Sequence, residues 1–206
     1  MSARNLVDAK PFFWAVLAMP AAHILYRWFA QAPLPDELVA PTGEWAARFI
    51  ILALMLTPLT MLLPRLGALT WLARRRRALG VAAFLYSLLH LAFYLAEMET
   101  VRNVLAEFWA LGIWTGWAAL LLLVPLALTS NDAALRLLRA GWRRLHRLAY
   151  PAAVLVLVHW IVVHNEPGEA LLHFAPLALL ELYRLGRLLV RAGAPAESHS
   201  SQPAKG

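Results

Sequence analysis

Of the 206 residues, 61% are hydrophobic and 15% charged, against roughly 45–50% and about 25% in soluble domains, so this is the composition of a chain that lives in lipid. It contains no cysteine, which excludes disulfides, thiolate metal sites, iron–sulfur clusters, thiol nucleophiles and thioether-attached haem. The net charge of +7 comes from arginines placed between apolar runs, where they govern topology rather than nucleic-acid binding.

A bilayer-spanning helix needs about 20 largely apolar residues. Six stretches supply this, at 11–29, 46–63, 79–96, 108–128, 148–163 and 170–190, so the sequence predicts an all-α integral membrane bundle of six transmembrane helices. The first follows Arg4 and Lys10 as a signal peptide would, but no small-x-small cleavage site follows and His23 and Arg27 interrupt the run; it reads as a retained span. Between spans two and three come Arg65 and the run Arg74 to Arg77, and before span five come Arg136, Arg139, Arg143, Arg144 and Arg147. The alternate loops are net acidic, with Asp36, Glu37 and Glu44, then Glu97, Glu99 and Glu107 against Arg102, then Glu166 and Glu169. Positive charge stays inside, so both termini are expected in the cytoplasm. Span six carries Glu181, Arg184 and Arg187 near its inner end, where long side chains snorkel to the headgroups. Residues 1–192 form one domain, and the polar stretch 193–206 is expected to be a disordered cytoplasmic tail. No internal repeat, Walker loop or dinucleotide-binding glycine pattern is visible in the sequence.

Six of the seven histidines, all but His199, lie within or at the ends of spans, where ionisable groups are costly and point to function. His90 is about eleven residues into span three and His159 about eleven into span five, counted from their inner ends. At 1.5 Å per residue both lie roughly 16–17 Å up. Two neutral imidazoles at one depth on two helices suit the axial positions of one low-spin haem iron, a one-electron carrier with no position left for substrate. His146 precedes His159 by thirteen residues, about 20 Å along a helix, and could mark a second haem. The matching position before His90 is Arg77, so the alternatives are an interfacial histidine or a contact for flavin or quinone. His23 lies at nearly the depth of the pair, with Arg27 one turn on; the two suit a haem propionate or the outer interface. His164 and His173 sit at outer span ends, His164 as a reserve ligand. Tyr86 and Tyr94 flank His90 on one helix face. The run Arg74 to Arg77 suits topology or the phosphate of a flavin mononucleotide (FMN).

Those residues resemble the ferric-reductase-like transmembrane family, and within it the haem-binding membrane subunits of periplasmic methionine sulfoxide reductase systems. The resemblance is carried by Thr42-Gly43-Glu44-Trp45, Thr57-Pro58-Leu59, the stretch Arg76 to Tyr94 with His90, Leu128 to Ser130, and the stretch Gly141 to Trp160 with His146 and His159. It implies a bacterial inner-membrane protein that binds haem b, with FMN as a further cofactor. Its electrons would come from the quinone pool or a cytoplasmic flavin reductase and pass to a periplasmic molybdopterin-containing methionine sulfoxide reductase that repairs oxidised envelope proteins. Substrate chemistry is then expected in that partner. His90, His146 and His159 match the family's histidines, whereas Arg77 stands where related oxidases carry another. The other readings are a stand-alone quinol oxidase or ferric reductase, and a small non-redox transporter.

Overall fold

The computed structural model describes residues 10–165 and 167–193. Arg4, Glu166, His199 and all of the expected tail except Gly193 lie outside the described residues. Among the described residues ten α-helices follow one another: α1 (Lys10–Gln31), α2 (Asp36–Leu62), α3 (Gly67–Ala73), α4 (Arg76–Met98), α5 (Val101–Glu107), α6 (Leu111–Leu128), α7 (Asp132–Leu138), α8 (Ala140–Leu145), α9 (Ala149–His164) and α10 (Pro167–Gly193). A single 3₁₀ turn, His146–Leu148, joins α8 to α9.

Among the described residues four segments are long and apolar enough to cross a membrane: α2, α4, α6 and the stretch Ala140–His164 that runs through α8 and α9. The first and sixth expected spans form α1 and α10, which have the length. Their apolar character is diluted by His23 and Arg27 in the one and by Glu181, Arg184 and Arg187 in the other.

The second span begins ten residues earlier than its apolar run suggests. Asp36 and Glu37 lie in the first turn of α2, where carboxylates complement the positive end of the helix dipole, and Glu44 pairs with Arg48 one turn on at 2.6 Å. The Thr42-Gly43-Glu44-Trp45 stretch, expected ahead of the span, is therefore inside the helix. Before α9 the ladder breaks instead. Pro151 has no N–H and its ring presses on the carbonyl four residues back, and the 3₁₀ turn containing His146 falls at that point. An ideal thirteen-residue helical step between His146 and His159 thus does not apply.

The bundle packs chiefly as α2 on α4 and α6 on α9, with α10 laid against α2. Small side chains line these seams: Ala47, Ala82, Ala83, Ala119, Ala152 and Ala153 are all buried. They let backbones approach closely, which is how helices associate where lipid is as apolar as leucine. Large apolar side chains such as Leu121, Val154 and Leu179 face outward. Helix α1 is fastened by Tyr86, whose hydroxyl donates to the Leu17 carbonyl at 2.9 Å and accepts from the Ala21 N–H at 2.7 Å. The phenol thus enters the turn of α1 that also holds Pro20.

Candidate functional site

The two central helix pairs carry one arrangement twice. On α4, the His90 Nδ1 lies 2.8 Å from the Val39 carbonyl of α2. On α9, the His159 Nδ1 lies 2.7 Å from the Gly112 carbonyl of α6. A carbonyl only accepts, so each Nδ1 must carry the proton, which leaves Nε2 as the lone-pair nitrogen of each ring. Four residues beyond each carbonyl is a glycine, Gly43 or Gly116, and the imidazole lies directly over it. A Cβ on Gly43 would meet the His90 ring at 3.0 Å, and one on Gly116 the His159 ring at 2.8 Å. Before each glycine stands a buried threonine, Thr42 or Thr115, that bonds back into its own helix. Sequence alone shows no repeat; the recurrence lies in the contacts, and the paired Thr-Gly steps are the signal that marks it.

These half-sites bring His90 and His159 together, with ring centroids 5.9 Å apart and planes at 85°. Both line a pocket together with Glu44, Tyr94, Trp117, Trp160 and His164. The Tyr94 hydroxyl is buried and without a hydrogen-bond partner among the described residues, a donor that a ligand in this pocket would satisfy. Mostly apolar walls, two imidazoles with fixed tautomers and an orphaned phenol make a donor set that fits a haem. At the rim, Arg48 pairs with Glu44 and reaches the His173 Nε2 at 3.5 Å, and the His173 ring lies 5.1 Å from Trp160.

His146 belongs to a second cavity, at the arginine-rich end. It stacks on buried Trp142 at 3.8 Å, and its Nε2 is 3.1 Å from the Thr129 hydroxyl. Trp142 in turn donates to the Thr129 carbonyl at 2.9 Å. Thr57, Arg76, Arg77, Arg143, Arg147 and Arg184 line the same cavity. Arg77 also pairs with Asp132 at 2.7 Å, and that guanidinium holds the Asp132 carboxyl below the usual carboxylate range. Leu123 forms part of both cavities.

The remaining candidates divide. His164 joins the wall of the upper pocket. His23 is exposed on α1 and lines neither cavity, and Arg27 pairs instead with Glu37 at 3.6 Å. Tyr86, on the His90 face of α4, is a core residue whose hydroxyl fastens α1. Gly116 and Thr115 drew no notice in the sequence, and Gly43, Thr129 and Trp142 entered only within the stretches that carry the resemblance; the parts all five play rest on contacts that only the fold creates.

Half-buried histidines that face each other across a pocket inside a bundle with several apolar helices define a multi-pass helical membrane protein. Residues 42–157 match the family described as the ferric reductase like transmembrane component, and the chain belongs to that family. It is 40% identical over 159 residues, covering 75% of this chain and 70% of each relative, to the protein-methionine-sulfoxide reductase heme-binding subunit MsrQ of Brucella ovis, of Brucella canis and of Brucella abortus. No solved structure matches the chain.

Proposed function

We propose that this chain is a haem b electron-transfer subunit of a methionine sulfoxide reductase system, with His90 and His159 as the axial ligands of a single haem. The observation that carries the reading is the close approach of these two imidazoles at 5.9 Å, each with its Nδ1 committed to a backbone carbonyl. Haem held by His90 and His159 would supply a one-electron carrier. The protein holds the tautomers through Val39 and Gly112, seats the rings on Gly43 and Gly116, excludes water with apolar walls, and offers the Tyr94 hydroxyl to a cofactor carboxylate.

The names of the 40% identical relatives and the charge pattern of the loops support the wider setting: six spans in the bacterial inner membrane, one domain over 1–192 and both termini cytoplasmic. In that orientation the cavity of His146 and its arginines faces the cytoplasm. It is the site for FMN as a further cofactor, whose phosphate the guanidinium groups suit, or for a quinone, with electrons coming from the quinone pool or a cytoplasmic flavin reductase. His90 and His159 lie toward the periplasm in that orientation, where a haem they held would supply electrons to a molybdopterin-containing reductase that repairs oxidised envelope proteins. His146 is not an iron ligand in this reading, because its Nε2 faces the Thr129 hydroxyl.

The test is the absorption spectrum and haem-to-protein ratio of the purified protein and of His90→Ala, His159→Ala and His146→Ala. One haem in the wild type, lost in the first two variants and kept in the third, is expected. A wild type without reduced b-type bands leaves a non-redox transporter as the better account, and b-type bands without reduction of an added periplasmic partner favour a stand-alone oxidase or ferric reductase.

A further inference from the structure

Hydroxyl side chains that bond back to a carbonyl three or four residues earlier are ordinary in membrane helices. Thr60, Ser87 and Ser130 do this here, at 2.8, 2.9 and 2.7 Å, and none of the carbonyls they use takes a histidine. Thr42 and Thr115 differ. The Thr42 hydroxyl is 2.7 Å from the Val39 carbonyl, which also takes His90 Nδ1, and 2.8 Å from the Leu38 carbonyl. The Thr115 hydroxyl is 2.8 Å from the Gly112 carbonyl, which also takes His159 Nδ1, and 2.7 Å from the Leu111 carbonyl. Both threonines are almost wholly buried, at 0% and 2% exposure, so water cannot take the place of either contact.

Each hydroxyl has one proton and two carbonyls within reach. Each shared carbonyl has two lone pairs but three donors around it: the helical N–H four residues on, the threonine O–H and the histidine Nδ1–H. When the threonine donates to the shared carbonyl, that oxygen becomes a poorer acceptor for the imidazole. The Nδ1–H bond weakens, and the imidazole is less basic at Nε2. When it donates to the neighbouring carbonyl, the Nδ1–H bond strengthens and Nε2 becomes the more electron-rich donor.

We infer that Thr42 and Thr115 are positioning residues that set the reduction potential of the iron held by His90 and His159, each through the carbonyl it shares with its histidine. The inference rests on the haem reading above. A more basic axial imidazole stabilises the ferric state, so removing a hydroxyl lowers the potential. The two half-sites share the threonine-carbonyl-histidine arrangement, and at the first the Thr42 hydroxyl also lies 3.5 Å from His90 Nδ1.

A redox titration of the purified holoprotein, followed through its haem absorption, tests this with Thr42→Val, Thr115→Val, the double variant, Thr42→Ser and Thr115→Ser. Valine keeps the shape and removes the hydroxyl; serine keeps the hydroxyl. The expected result is a lower midpoint potential in each valine variant, a shift in the double variant equal to the sum of the single shifts, and wild-type potentials with serine. Valine variants that titrate with the wild type, or serine variants that shift as far as valine, overturn the inference. Haem lost from the valine variants but kept at the wild-type potential with serine also overturns it, because the hydroxyl then holds the site together rather than tuning it. Failure of the haem reading itself is separate, since the wild type would then show no haem to titrate.

Discussion

The cavity of His90 and His159 and the cavity of His146 meet at Leu123 but hold their histidines by different means. In the first, each Nδ1 bonds a main-chain carbonyl inside a helix, and each ring rests on a glycine of the facing helix. Neither support can rotate away. In the second, the histidine lies in a 3₁₀ turn, leans on the Trp142 ring and meets a threonine hydroxyl, supports that are themselves side chains with rotamers to change. Backbone support suits a resident cofactor whose surroundings must not reorganise at each electron transfer. Side-chain support beside arginines suits a molecule that comes and goes.

Removing the histidines separates the two cavities most strongly. His90→Ala or His159→Ala abolishes the haem spectrum, whereas His146→Ala leaves haem content unchanged; equal loss from all three would show that the cavities do not differ. Next in size is Gly116→Ala. Its Cβ would stand 2.8 Å from the His159 ring, and a displaced axial ligand lowers haem retention about 10- to 100-fold, as read by haem transfer to apomyoglobin. Gly43→Ala has the smaller effect because its clearance is 3.0 Å.

On the other side of the comparison, the double variant Arg143→Gln, Arg147→Gln weakens binding of FMN by roughly tenfold, the scale of a lost charge-assisted contact, while the haem spectrum stays as it was. Equilibrium dialysis against FMN reads this directly. Tyr86→Phe acts on neither cavity. It removes two hydrogen bonds that fasten α1 and lowers stability by about 1–3 kcal/mol, seen as a lower melting temperature at unchanged haem content.

The smallest effect is that of Asp132. Its carboxyl is held below the usual range by Arg77, so its contribution is complete above the ordinary carboxylate pKa of about 4. That contribution is lost as pH falls through the depressed folded value. Asp132 is exposed and the effect is correspondingly slight: Asp132→Asn melts like the wild type in acid and slightly lower at neutral pH.

Much of this molecule is legible from its residues in order. Apolar runs of bilayer length locate the four segments apolar enough to cross a membrane, since hydrophobic length is a property of the chain alone. Equal counts from the span ends pick out His90 and His159, because a helix converts residue number into height at a fixed rise. Sequence does not convert residue number into direction around the bundle. Which carbonyl faces His90, which glycine leaves room for its ring, and that Thr115 on α6 repeats what Thr42 does on α2 depend on how helices far apart in the chain pack side by side. His146 shows the same limit from the other side: its place in the chain matches a ligand, but a turn set by Pro151 and the ring of Trp142 fix where its nitrogens point. Height came from the sequence; orientation came from the packing of small alanine and glycine seams, which lets backbones approach closely enough for one helix to hold another's imidazole.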